Sequence, residues 1–149
     1  MNLKQRLYNH CLFYIDQRIA NATDALNSAK ESANNETKSS SGDKHETGRA
    51  MAQLEQEKAA KMISQANHLK QILNKIQPNY NSKDIALGSL VITNRGAYYI
   101  AISAGKIIID QKEYYAISTN SPIGIKLIEN PKKSSFQLND IIYQIEDIL

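Results

Sequence analysis

The feature that most constrains this chain is a narrow apolar stripe that runs, with one interruption, through its first half. From Leu3 to about Lys38, apolar residues recur at three- and four-residue steps: Leu3, Leu7, Cys11, Ile15, Ile19, Ala22, Leu26, Ala29 and Ala33. That spacing predicts an amphipathic helix with a seam close to that of a coiled coil. No Gly or Pro interrupts it, so one continuous element roughly 50 Å long is expected at ~1.5 Å rise per residue. Ser39-Ser40-Ser41-Gly42 ends the pattern, and a second helix is expected from near Asp43 to about Ile76. Its seam is read along Met51, Leu54, Met62, Ala66, Leu69, Leu73 and Ile76, with Lys58 interrupting. Two helices with stripes this narrow, joined by so short a connection, bury them by pairing antiparallel. Leu and Ile near the start of the first helix give way to Ala near the connection, where small residues let two helices approach closely.

Residues 77–83, Gln-Pro-Asn-Tyr-Asn-Ser-Lys, form the expected linker. Pro78 stops the helix and the Asn/Ser content has turn chemistry. Beyond it the period changes from helical to alternating. Leu90–Thr93 and Ala97–Ile102 read as strands about an Asn94-Arg95-Gly96 turn, and Lys106–Asp110 and Glu113–Ser118 as strands about Gln111-Lys112. Ser121 and Pro122 have the chemistry of an N-cap and a first helical residue for a short helix to about Ile128. A last strand is expected from about Asp140 to Ile148. The reading is α+β: a helical hairpin over residues 1–76 and a small antiparallel sheet with one helix over 84–149.

Charge separates these halves. Residues 1–76 carry eleven Lys/Arg against eight Asp/Glu, and residues 77–149 carry seven of each. The net charge of +3 therefore arises in the first half, a modest aid to approaching RNA or phosphate and also the ordinary signature of solvated helix faces. One cysteine, Cys11, excludes an internal disulfide, and its place in the stripe predicts a buried, reduced thiol. No apolar run has the length of a membrane span and no signal-peptide core follows the start, so a cytoplasmic protein without membrane association is expected. His10, His45 and His68 lack zinc-ligand spacing. Tyr98, Tyr99, Tyr114 and Tyr115 suit half-buried sheet positions better than a base-stacking platform.

The connection between the helices carries two carboxylates three positions apart, Asp43 and Glu46. Asp at an N-cap with Glu at the third helical position is a variant of the capping box, and carboxylates suit a helix N-terminus. A capped pair is also a fixed pair. Two carboxylates do not make a Mg²⁺ cage alone, but they complete a sphere shared with phosphate, water and another protein's acids.

In these residues the chain resembles the bacterial Gre transcript-cleavage factors, GreA and GreB. The family's tip reads Gly-Asp-Leu-Ser-Glu-Asn, and Gly42-Asp43-Lys44-His45-Glu46-Thr47 keeps the Gly and both acids at the same spacing. The family's C-terminal signature, Ser-Pro-x-Ser-Pro-Leu/Ile-Gly before a Leu-Leu/Ile pair, is matched in most positions by Ser118-Thr119-Asn120-Ser121-Pro122-Ile123-Gly124 with Leu127-Ile128. The order of a helical hairpin, a linker and a small FKBP-like sheet domain covers nearly the whole chain.

The resemblance implies a transcription elongation factor that is not itself an enzyme. The hairpin would enter the secondary channel of RNA polymerase, and Asp43 and Glu46 would help hold a Mg²⁺ ion shared with the polymerase, stimulating its cleavage of backtracked RNA. The partners would be RNA polymerase and the nascent RNA 3′ end, with no cofactor bound by the chain alone and no small-molecule substrate. Lys44 and Arg49 are candidate contacts to nucleic acid, and Ser121 and Pro122 are expected to be structural members of the docking domain. Two departures stand out: Leu-Ser between the acids is Lys44-His45 here, and the family's Gly-Lys-x-x-Gly-Asp turn is Glu129-Asn130-Pro131-Lys132-Lys133. The altered tip motivates an alternative, a channel-binding regulator without cleavage, and the altered turn implies a different docking surface. A coiled-coil adaptor is the reading if the acids only cap a helix.

Overall fold

The computed structural model describes residues 1–37, 42–130 and 134–149, with side chains described outside 36–45. They form α1 (Leu3–Thr37), α2 (Gly42–Asn74), β1 (Leu90–Thr93), β2 (Gly96–Ala101), β3 (Gly105–Ile109), β4 (Lys112–Ser118), α3 (Pro122–Glu129), β5 (Ser135–Leu138) and β6 (Ile141–Ile148). Two long helices pack together ahead of a mixed sheet, so the fold is α+β as expected. Asn2 caps α1 by accepting from the Gln5 amide at 2.8 Å. At the end of α2, Lys75 and Ile76 donate to the carbonyls of Ile72 and Leu73, a tightened last turn ahead of Pro78. The chain divides into two compact units, Ile15–Lys70 and the remainder, Met1–Tyr14 with Gln71–Leu149.

In the helical unit, Ile15, Ala22 and Ala29 of α1 are buried with Ala52, Ala59 and Ala66 of α2. Each set repeats every seven residues, the spacing of one heptad position. Ile19, Leu26 and Ala33 on α1, and Gln56 and Ile63 on α2, are half-buried along the second row. Lys70 Nζ donates to Asp16 Oδ1 at 2.8 Å, an exposed tie between antiparallel helices. The α1 stripe is the one expected. The α2 seam is as expected at Ala66, Leu73 and Ile76, with Leu69 half-buried, but it is shifted over the earlier part of the helix: Met51, Leu54 and Met62 are exposed, and the row that includes Ala66 runs through Ala59 and Ala52 instead. The reason is steric, since methyl side chains let helix backbones approach and a Met in the same row would hold them apart.

In the second unit the strand order is β3-β4-β2-β1-β6-β5. All neighbours are antiparallel except β2 and β4, which run parallel with Tyr98 beside Tyr115 and Ile100 beside Ile117. The wholly antiparallel sheet read from the sequence is corrected at this pair. The chain leaves β2, forms the edge strand β3, and returns as β4 between them, so the β2–β3 connection is not a hairpin. The tight turns at Asp110-Gln111 and Asn139-Asp140 have positive φ at both residues (51° and 67°; 51° and 63°), the backbone of type I′ hairpins. The first lies one residue earlier than expected. The second joins β5, which the sequence reading lacked, to β6.

Each sheet face is covered. Val91, Ile100, Ile145 and Ile148 pack with Ile85 and with Leu127 of α3, bordered by Tyr98, Ile117, Ile123 and Phe136. The alternate positions Leu90, Tyr99, Ala101, Tyr114 and Ala116 are buried on the opposite face, where Tyr99 lies near Cys11 and Tyr8. Leu7, Cys11, Leu73 and Ile76 are buried as well, so the root of the helical pair belongs to this core. Gly88, at φ 94°, passes so close that an added Cβ would stand 3.1 Å from Ile76. Arg6 donates to both oxygens of Asp110, at 2.8 and 3.4 Å.

Candidate functional site

Gly42 opens α2, so Asp43 stands in its first turn and Glu46 one turn further along. A helix N-terminus favours carboxylates through its macrodipole. Glu46 is exposed, and Arg49, nearly another turn on, is exposed too. The side chains of Asp43, Lys44 and His45, together with Ser39 to Ser41, lie outside the described residues, and so do the expected cap and the paired geometry of the two acids. Two carboxylates supply a minority of the roughly octahedral sphere of Mg²⁺. Among the described residues no group of three His, Cys, Asp or Glu side chains is placed to hold a metal ion.

The second motif is fully described and its chemistry is structural. Ser121, with extended backbone at φ −68° and ψ 154°, is the N-cap of α3, and Pro122 follows at the start of the helix. Ser121 Oγ accepts from the Gly124 amide at 3.1 Å and donates to the Ser118 carbonyl at 2.8 Å. The Ser121 amide donates to the same carbonyl at 3.2 Å. Gly124 is pressed against it: an added Cβ would come within 2.2 Å of Ser118 O and 2.8 Å of Ser121 Oγ. At the other end, Asn130 closes the helix through its amide to Leu127 O and its side chain to Lys126 O. Ile125 and Ile128 face outward and are exposed.

The tyrosines separate by face. Tyr99 and Tyr114 are buried, whereas Tyr98 and Tyr115 are half-buried. With Tyr143 and Phe136 the latter two make a row of rings: Tyr115–Tyr98 at 5.9 Å, Tyr98–Tyr143 edge-on at 6.4 Å, and Tyr143–Phe136 stacked at 5.2 Å. Burial, then the neighbouring phenols of Tyr143 and Tyr115, pushes the Tyr98 hydroxyl up to about 12. The sequence reading took Tyr98 and Tyr115 as sheet residues but missed Phe136 and Tyr143; the alternation Phe136-x-Leu138 and Tyr143-x-Ile145 was the available signal. Cys11 is buried as expected, and burial raises its thiol to about 12, which leaves little nucleophilic thiolate near neutrality.

No helix among the described residues is long and apolar enough to cross a membrane. Comparisons with protein-family models, curated proteins and solved structures gave no match.

Proposed function

We propose that this chain is a Gre-type elongation factor that binds bacterial RNA polymerase and stimulates cleavage of backtracked RNA. The observation that carries the reading is the acid pair at the start of α2: helices of 35 and 33 residues pair antiparallel, and the second opens with Gly42-Asp43, followed three residues later by an exposed Glu46. The alanine-rich seam supports it, because small seam residues keep a helical pair slender enough for a channel.

In this reading Asp43 and Glu46 would contribute oxygen ligands to a Mg²⁺ ion otherwise held by the polymerase's acids. Such an ion supplies orientation and activation of the attacking water in two-metal phosphoryl chemistry. The chain's own contribution is delivery: the helix start holds the carboxylates, and Arg49 and Lys44 offer positive charge toward RNA phosphate. The sheet unit would dock on the outside of the enzyme. The chain has no turnover of its own in this scheme, and it works in the cytoplasm.

Lys44-His45, which replaces an uncharged dipeptide between the acids, favours a second reading, in which the chain occupies the channel and regulates polymerase without cleavage. One assay separates the two. The chain is added with Mg²⁺ to backtracked complexes of the cognate polymerase, and the RNA 3′ end is followed. Accelerated shortening that disappears in Asp43→Ala/Glu46→Ala, with binding retained, is the expected outcome. Binding without shortening would assign the regulator, and neither would leave a coiled-coil adaptor.

A further inference from the structure

Lys4 has no charged partner among the described residues. It stands in the first turn of α1 and is only 5 % exposed. Its Nζ donates to the Tyr80 carbonyl at 2.6 Å and to Asn81 Oδ1 at 3.4 Å, both uncharged acceptors. No carboxylate pairs with it among the described residues, and burial lowers its pKa. Buried lysines are ordinarily paired, and the first turn of a helix is where its dipole disfavours a cation. Two acceptors also leave one of the three ammonium protons uncommitted.

A cavity of about 270 Å³ has Lys4 in its wall together with Lys75, Gln77, Tyr80, Ser82 and Gly88, and no acidic residue lines it. All of these residues belong to the sheet-bearing unit. Lys75 is exposed and unpaired among the described residues. Ser82 Oγ accepts from the Asp84 amide at 3.1 Å, which leaves its hydroxyl proton available. Two ammonium groups, a hydroxyl and a side-chain amide, with no carboxylate, make a donor-rich cup. A phosphate monoester complements it, with close to two negative charges at neutral pH and three strong acceptor oxygens. The volume equals about nine waters at ~30 Å³ each and falls near the lower end of ligand pockets at roughly 300–1,000 Å³. It suits a phosphate on a small organic body.

We propose that this pocket binds the phosphate group of a small phosphorylated molecule, with Lys4 and Lys75 as its two cationic walls. The site is distinct from the acid pair and does not depend on the polymerase reading. The test is an amide NMR titration of the full chain with inorganic phosphate and with glycerol 3-phosphate at constant ionic strength, with acetate as control. Saturable shifts centred on Ser82, Gly88 and Ser89 are expected for both phosphates and not for acetate. Lys75→Gln, at an exposed position that leaves the fold intact, is expected to weaken binding at least about tenfold. Lys4→Met is expected to abolish it; if that variant does not fold, Lys75→Gln alone decides. Absent saturation, shifts scattered over surface lysines, an unchanged affinity in Lys75→Gln, or equal binding of acetate would each overturn the proposal.

Discussion

At residue scale, stability at two positions depends on single atoms. Gly124 has no room for a methyl, because the Ser118 carbonyl occupies it. Gly124→Ala must open the α3 cap, and urea unfolding is expected to show a loss of about 3 kcal/mol, at the upper end of ordinary overpacking. Tyr99 is the converse case. Its ring is fully buried and its hydroxyl has no hydrogen-bond partner among the described residues, so Tyr99→Phe removes an unsatisfied group and is expected to gain up to about 1 kcal/mol. The same substitution tests a pH dependence. Burial, then the nearby Cys11 and Tyr8, raises the Tyr99 phenol above its ordinary value. The neutral ring is therefore favoured in the fold. That contribution is fully present below the unfolded phenol's pKa of about 10 and is lost as pH rises toward the higher folded value. The alkaline decline in stability is expected to be shallower in Tyr99→Phe; equally steep profiles would show that Tyr99 does not contribute.

At element scale, the two long helices differ in how legible they were. On α1 the buried row contains Leu7 and Ile15, so size and burial coincide and the stripe reads correctly. On α2 they part: Met51, Leu54 and Met62 form a plausible stripe three and eight residues apart, while the buried row is Ala52, Ala59 and Ala66. Hydrophobicity scales favour the larger side chains; seven-residue spacing of the small ones was the better guide. Ala59→Leu is therefore expected to destabilise the chain by about 1–3 kcal/mol through overpacking, whereas Met62→Gln should stay within ~0.5 kcal/mol. Thermal unfolding of both variants checks the register, and a reversed ranking would restore the Met-lined seam. In the sheet, turn chemistry marked the hairpins β1–β2 and β3–β4. The parallel β2–β4 pair has no local signal, since it arises from where β4 returns. β5, at four residues with only Phe136 and Leu138 as alternating apolar positions, was too short to stand out.

At the scale of the whole molecule, the helices are more than an appendage to the sheet. Residues 1–14 and 71–76 contribute Leu7, Cys11, Leu73 and Ile76 to the unit that holds all six strands. One sheet face, with Leu90, Tyr99 and Ala116, is buried in that unit. A fragment of residues 84–149 is therefore expected to lose cooperative thermal unfolding and to bind a hydrophobic dye. A chain in which Ile15–Lys70 is replaced by a short Gly/Ser linker is expected to keep a cooperative transition. The acid pair lies at the start of α2, where local pattern predicted a helix boundary but no side-chain pattern specifies what the carboxylates face.

The Ser118 carbonyl has a consequence for how the motif is spelled. Two donors from Ser121 converge on it and a missing side chain at Gly124 makes space for it, so the Ser-Pro-x-Gly wording is dictated by one oxygen atom at a bend. Any chain that builds this bend around the same carbonyl faces the same demand for a capping hydroxyl and a residue without a side chain three positions on. The wording of this motif therefore reports a backbone requirement and carries no information about what the chain binds.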